Sequence, residues 1–275
     1  MPGLYLVTTP IGNIKDLTPR ALDAIKSCDV AFCEDTRVFK KLCSMLEVDL
    51  AGKHVNSFHD HSSEQKLSGI VELARTKKCL FLSDAGSPII SDPAYPLIQM
   101  CLTKGVELHS VPGVSSIVTA LELSGLAPIP FHFHGFLARD KSKKNKDFDM
   151  IGNVYGTHIF FEGVSRVLKT IEDMSNLYPE FDFVVARELT KEFESVYRFK
   201  GRDFESVKAD IVEKGEFVVL IHNPLKNESL MDEKLVDLAQ DIMDHGPRPK
   251  TLSKLLAKIT GENNKDIYKR LNLSK

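Results

Sequence analysis

Two carboxylates, three hydroxyls and a glycine crowd one short segment, Ser83-Asp84-Ala85-Gly86-Ser87-Pro88-Ile89-Ile90-Ser91-Asp92-Pro93. It follows the apolar run Cys79-Leu80-Phe81-Leu82, which reads as a buried strand. Ligands bind beyond the carboxyl ends of strands in open α/β sheets. A rigid, glycine-containing turn there lets the backbone approach a ligand closely. Ser91 or Asp92 as N-cap with Pro93 at the first helical position accounts for the second half as a helix entry. It leaves Asp84 to Pro88 unexplained, and those residues read as ligand-binding chemistry.

Comparable groups recur after other apolar runs. They are Thr8-Thr9-Pro10-Ile11-Gly12-Asn13, Glu34-Asp35-Thr36-Arg37 and Pro112-Gly113-Val114-Ser115-Ser116. One polar loop means little. Four on the same edge of one sheet describe a binding cleft. A dinucleotide is the default ligand, and Glu34 or Asp35 sits where a ribose-binding acid would. However, the first loop has one glycine rather than G-x-G-x-x-G, and neither a P-loop nor a G-x-S-x-G elbow occurs. That favours an adenosine-containing ligand without a pyrophosphate. S-adenosylmethionine fits this description without being selected by it. Arg187-Glu188-Leu189-Thr190-Lys191-Glu192 is a further cleft candidate, weighed against a structural ion pair of Arg187 with Glu188 or Glu194. His132-Phe133-His134 reads as strand alternation, and His59-Asp60-His61 equally as a cleft group or a surface loop. Spacing indicates no metal site.

The elements that must position these groups alternate from the first residues. Strands are expected at Leu4–Val7, Val30–Cys33, His54–Phe58, Cys79–Leu82 and Glu107–Val111, with helices between them. Thr18 caps the first helix with Pro19 at N1. This rhythm predicts a mostly parallel sheet in an N-terminal domain, 1–126. After a linker at Leu126–Pro130, a second α/β domain with more antiparallel pairing is expected over 127–223. It would hold strands at Phe131–Phe136, His158–Phe161, Phe183–Ala186, Val196–Phe199 and Phe217–Ile221, and a basic loop at Arg139–Lys146. Residues 224–275 read as a helical extension, with helices at Leu230–Met243, Leu252–Ile259 and Lys265–Leu271.

The chain has 275 residues, 43% hydrophobic and 27% charged, with a formal net charge of −2. That argues against a generally basic nucleic-acid binder. Yet Arg139–Lys146 holds five basic residues against one acid, and Gly246–Lys258 holds Arg248, Lys250, Lys254 and Lys258 without an acid. Two such stretches suit a polyanion partner. Five Cys without a CxxC pair predict reduced thiols in a cytoplasm. The N-terminus lacks the charged and apolar regions of a signal peptide, and no apolar run is long enough to span a bilayer.

In combination these motifs carry a resemblance. Thr9-Pro10-Ile11-Gly12-Asn13, Glu34-Asp35-Thr36-Arg37, His59-Asp60-His61, Ser83 to Pro93, Pro112-Gly113, Gly135-Phe136-Leu137 and Arg187-Glu188-Leu189-Thr190-Lys191 stand in order over Leu4 to about Ile221. The chain resembles the bacterial ribosomal RNA small-subunit 2′-O-methyltransferases of the tetrapyrrole-methylase superfamily, the class III S-adenosylmethionine enzymes. Ala94 stands where that family usually has glycine. Phe161-Glu162-Gly163-Val164-Ser165-Arg166 replaces its Tyr-Glu-Ser-Pro-His-Arg, keeping Glu162 and Arg166.

The resemblance implies two α/β domains with S-adenosylmethionine in the cleft between them. It implies cofactor contacts at Pro10, Ser83, Asp84, Ser87, Ser115, Ser116, Phe161, Glu162, Ala186 and Gly215. The implied reaction is 2′-O-methylation of a cytidine ribose in the decoding region of 16S ribosomal RNA. A ribose hydroxyl is a weak nucleophile, helped by a base or a cation. Asp35, Asp92 and Glu188 are candidate bases, and Arg37, Arg187 and Lys191 candidate cations. Naked 16S RNA or the assembled small subunit is the implied partner, and a homodimer the implied assembly. The competing readings are a methylase of a small tetrapyrrole-like metabolite and a non-catalytic nucleotide-sensing module.

Overall fold

The computed structural model describes residues 1–58, 63–90, 94–225, 238, 241–242, 246, 248–260 and 263–273. Met1–Leu225 forms one unit and Lys226–Lys275 another.

The first unit opens with β1 (Gly3–Val7), α1 (Pro19–Ser27), β2 (Val30–Cys33), α2 (Thr36–Met45), β3 (His54–Ser57), α3 (Glu64–Ala74) and β4 (Lys78–Leu82). Then follow α4 (Ala94–Thr103), β5 (Leu108–Val111) and α5 (Ser116–Ser124). The five strands pair in the order β3-β2-β4-β1-β5, and every pairing is parallel. Alternation explains how this sheet is covered on both faces. Cys79 and Phe81 point to a core with Ile70, Val71, Leu97 and Cys101 of α3 and α4. Leu80 and Leu82 point to a core with Ala21, Ile25, Phe39 and Cys43 of α1 and α2. A parallel sheet buried on both faces needs such continuous apolar strands. All five cysteines are buried and unpaired.

The second sheet comprises β6 (Phe131–Phe136), β7 (Gly156–Glu162), β8 (Asp182–Arg187), β9 (Ser195–Lys200) and β10 (Phe217–Asn223), in the order β6-β7-β10-β8-β9. Only β6 and β7 run parallel. One face is covered by α6 (Lys141–Asn153) and α7 (Val167–Leu177) through Phe148, Ile151, Ile171 and Met174. The opposite face takes Ile117 and Ala120 of α5 against Ile159, Val184, Val218 and Leu220. Residues 1–126 and 127–223 thus each carry one sheet, and the last helix of the first segment packs on the sheet of the second.

The structure corrects one expectation outright. The basic run 139–146 is not a loop but the entry of α6. Asp140 caps it by accepting the Lys143 N–H at 3.0 Å. Phe148 and Ile151, three residues apart, bury its inner face, as amphipathic spacing requires. After β9 the chain makes only a short helical run, Phe204–Val207, between two 3-10 turns. In the second unit, helices span Pro249–Thr260 and Asn264–Leu273. The helix expected at Leu230–Met243 lies almost wholly outside the described residues.

Candidate active site

The turn after β4 is built from inside. Thr9 and Gly86 exchange backbone hydrogen bonds of 3.0 and 3.1 Å, fastening the loop after β1 to it. Gly86 has φ +76°, a left-handed conformation that costs glycine little. The Ser83 hydroxyl is buried and donates to the Gly86 carbonyl at 3.0 Å. Ser83 is therefore an internal brace, and Pro10 likewise does not line the cleft. What this brace presents is Asp84-Ala85-Gly86-Ser87.

That tetrapeptide forms one wall of a cavity of about 460 Å³. Ser115 and Ser116, at the entry to α5, continue the wall. Phe136, Phe161, Leu189 and Gly215 stand opposite, from the second half of the unit. The hydroxyls of Ser87, Ser115 and Ser116 make no hydrogen bond among the described residues, and Ser115 caps α5 without a side-chain bond. Phe136 and Phe161 meet edge to face, ring centres 5.5 Å apart. Of the expected cofactor contacts, Asp84, Ser87, Ser115, Ser116, Phe161, Glu162 and Gly215 line this space. Ala186 does not; it is fully buried in the core beneath it.

Glu162 lines the cavity with its carboxylate already engaged. It takes Arg166 at 2.5 Å, the Gly163 N–H at 2.8 Å and the Thr170 hydroxyl at 2.9 Å. It holds the 163–166 turn in place. Ile11, Glu34, Phe136 and Leu189 also line the cavity. Of these, the sequence singled out only Glu34, as a possible ribose-binding acid; Ile11, Phe136 and Leu189 lie in or beside quoted motifs but were not named as contacts.

A second cavity of about 450 Å³ adjoins the first, lined by Glu34, Asp35, Thr36, Arg37, Ser57 and Asp84. Glu34 and Asp84 line both. Asp35 caps α2, accepting the Arg37 N–H at 2.7 Å, and also binds the Arg37 guanidinium at 2.6 Å. Those bonds from Arg37 hold the Asp35 carboxyl down to about 2. The Asp35 N–H in turn donates to Asp84 Oδ1 at 3.1 Å. Asp84 is pushed above the usual carboxylate range, first by burial and then by the charges of Glu34 and Asp35, against the pull of the Asp35 N–H and Arg37.

Arg187, Glu188 and Lys191 line neither cavity. Arg187 is buried and donates to the carbonyls of Lys214 (2.6 Å) and Phe193 (3.0 Å), rather than pairing with Glu188 or Glu194. Glu188 and Thr190 adopt positive φ of 51° and 65°, rare for residues with a side chain. Glu188 Oε1 accepts Lys191 Nζ and the Glu216 N–H, both at 2.9 Å. Burial opposes ionisation of Glu188, but those donors outweigh it and its pKa lies below the ordinary range. Thr190 Oγ1 accepts the Asn13 N–H at 3.1 Å. The segment is a joint between the loop after β1 and the Gly215-Glu216 turn. Leu189 alone reaches the cavity from it.

Asp92 and His59-Asp60-His61 lie outside the described residues. His132 and His134 stack on His158, with ring centres 4.9 and 5.1 Å apart, and His134 Nε2 meets His158 Nδ1 at 2.9 Å. Among the described residues no group of three or more His, Cys, Asp or Glu could hold a metal ion.

A two-sheet unit with a cleft walled by strand-end loops of both halves has relatives. Residues 3–205 match the family Tetrapyrrole (Corrin/Porphyrin) Methylases, and the chain belongs to that family. Within it, the chain is 34% identical over 262 residues to ribosomal RNA small subunit methyltransferase I of Mycoplasma genitalium, covering 94% of each chain. It is 38% identical over 241 residues to the protein of the same name from Vibrio cholerae, covering 85% of this chain and 82% of that one. Among solved structures, the fold is shared with uroporphyrin-III C-methyltransferase from Thermus thermophilus complexed with S-adenyl homocysteine. There the TM-score is 0.53 and the identity 18%, over 80% of this chain and 97% of that one.

The chain is accordingly a methyltransferase with S-adenosylmethionine as its methyl donor. The larger cavity fits that molecule. Its volume lies in the range of small-ligand sites, its aromatic wall suits an apolar body, and its serine hydroxyls, which have no partner among the described residues, suit polar ends.

Proposed function

We propose that this protein methylates the 2′-hydroxyl of a cytidine ribose in the decoding region of 16S ribosomal RNA. The observation that carries the reading is the pair of adjoining cavities with Asp84 and Glu34 in their common wall. One suits the methyl donor. The other opens beside the exposed Arg37 and suits an acceptor flanked by phosphate. The names of the two relatives point the same way, as does the basic entry of α6. There Arg139, Lys141, Lys143 and Lys146 are exposed and make no ion pair with described residues. Unpaired cations of this kind bind a phosphate backbone.

Bound S-adenosylmethionine supplies an electrophilic methyl group on a sulfonium. The chain supplies alignment, which dominates when the leaving group is already activated. Ser87, Ser115, Ser116, Phe136, Phe161 and Gly215 hold the donor. Arg187, Glu188, Lys191 and Glu162 hold the walls in place. Arg37 faces the RNA. The protein works in the cytoplasm as a homodimer, on naked 16S RNA or on the assembled small subunit.

The test supplies labelled S-adenosylmethionine with unmodified small subunits, naked 16S RNA or a tetrapyrrole in separate reactions. Label on a ribose 2′-oxygen of 16S RNA is expected. Label on the tetrapyrrole alone would establish a small-metabolite methylase instead, and binding without any labelled product a sensing module.

A further inference from the structure

Asp84 stands with Glu34 where both cavities meet, and we propose that Asp84, whose carboxyl is oriented by the Asp35 N–H, is the general base that takes the proton from the acceptor hydroxyl. The inference rests on the functional reading above and names a group within that site. Asp35, the acid beside Arg37, is the natural first choice for this work. Its geometry removes it. Both its oxygens are bound by the Arg37 guanidinium and one also by the Arg37 N–H. A carboxylate so engaged has little affinity for a further proton. Glu188 is occupied by Lys191 and the Glu216 N–H and lines neither cavity.

Asp84 differs on each point. It forms no salt bridge among the described residues. Its Oδ1 accepts one backbone hydrogen bond, from Asp35, which fixes the carboxyl orientation and leaves Oδ2 without a described partner. The groups that bear on it electrostatically are Glu34, Asp35 and Arg37, with the buried Cys33 thiol behind them. Two acids against one guanidinium favour the protonated form, as a proton acceptor requires. The residue is exposed overall, but partial desolvation of its carboxyl at the cavity wall adds to this, and its pKa lies above the ordinary aspartate value. Arg37 thereby silences Asp35 as a base, while its own charge pulls the Asp84 pKa down against the raising effect of Glu34 and Asp35.

In the step itself the acceptor oxygen forms a bond to the methyl carbon. The carbon–sulfur bond breaks, and its electron pair leaves with sulfur as a neutral thioether. The hydroxyl proton passes to Asp84 Oδ2. The positive charge of the donor and the negative charge of Asp84 cancel, so charge balances.

Asp84→Asn keeps an oxygen for the Asp35 N–H and removes only the basic group. Single-turnover methylation of RNA is measured for wild type and variant across pH, alongside S-adenosylmethionine affinity by calorimetry. The expected result is a rate loss of about 100-fold or more, the range general-base removal produces. Cofactor affinity should stay within about threefold of wild type, marking loss of a transition-state contact rather than of binding. The acidic limb of the wild-type pH–rate profile should vanish in the variant. A variant rate within about threefold of wild type would overturn the assignment, as would weakened cofactor affinity with the rate restored at saturation. The second outcome would make Asp84 a cofactor ligand. Asp84→Ala, read the same way, should be no less impaired. A wild-type protein that methylates no RNA hydroxyl would instead defeat the functional reading, and this assignment with it.

Discussion

Gly12 lies directly against Lys191: a β-carbon built on Gly12 would sit 2.5 Å from Lys191 Cγ, and 2.7 Å from Thr190 Oγ1. The contact joins the loop after β1 to the 188–191 segment of the second half, whose Leu189 lines the larger cavity. The Leu189 carbonyl is also close, at 2.9 Å, so moving the Lys191 side chain alone would not make room.

Gly12→Ala is therefore expected to push the two loops apart. Overpacking of this kind costs about 1–3 kcal/mol. A lowered thermal midpoint together with weaker S-adenosylmethionine binding by calorimetry is the expected pair of results. An unchanged midpoint would show that the joint yields freely.

Arg166→Ala should be more damaging than its partly exposed position suggests. The Glu162 carboxylate is fully buried and Arg166 is its charged partner. Stranding a buried charge costs about 3–5 kcal/mol. Urea unfolding should report a loss of that order, and the double variant Glu162→Gln with Arg166→Ala should recover part of it.

His158 makes stability depend on pH. Burial holds it down to about 4; its bond to the Val154 carbonyl opposes this, and the neighbouring His134 and His132 reinforce it. A histidine whose folded value lies below its unfolded value near 6.5 favours folding above that pH. The contribution is lost as the pH falls from 6.5 towards about 4. Thermal midpoints should drop through that window, and His158→Gln should flatten the slope whatever its absolute stability.

The exposed cations at the start of α6 should govern RNA affinity rather than chemistry. Replacing Lys141, Lys143 and Lys146 by Glu should weaken binding of 16S RNA. It should also reduce the salt dependence of log affinity by about 0.7–0.9 per lost phosphate contact. The methylation rate at saturating RNA should change little. A salt slope equal to wild type would remove α6 from the RNA interface.

Much of this was legible in the chain. Continuous apolar runs such as Cys79-Leu80-Phe81-Leu82, alternating with helix signals, are local properties that a strand-helix rhythm exposes. They were enough to foresee a mostly parallel first sheet and a second domain with more antiparallel pairing. Thr18 with Pro19 marked the start of α1 for an equally local reason, the capping of free N–H groups. The basic run at 139–146 misled because its charges outweighed a quieter signal, Asp140 as cap with Phe148 and Ile151 in helical spacing.

The strand-end loops, and the residue types they carry, were thus determined by sequence alone. Only the tertiary structure decided which of those residues is free to react. Asp35, Asp84, Glu162, Glu188 and Arg187 all look available in a string of letters. Three of the four acids are spoken for by cations, and Arg187 by carbonyls. Asp84 is left at the junction of two cavities, held by a backbone N–H that lies 49 residues away in the chain. Availability depends on such distant hydrogen bonds and on burial, which local spacing does not encode.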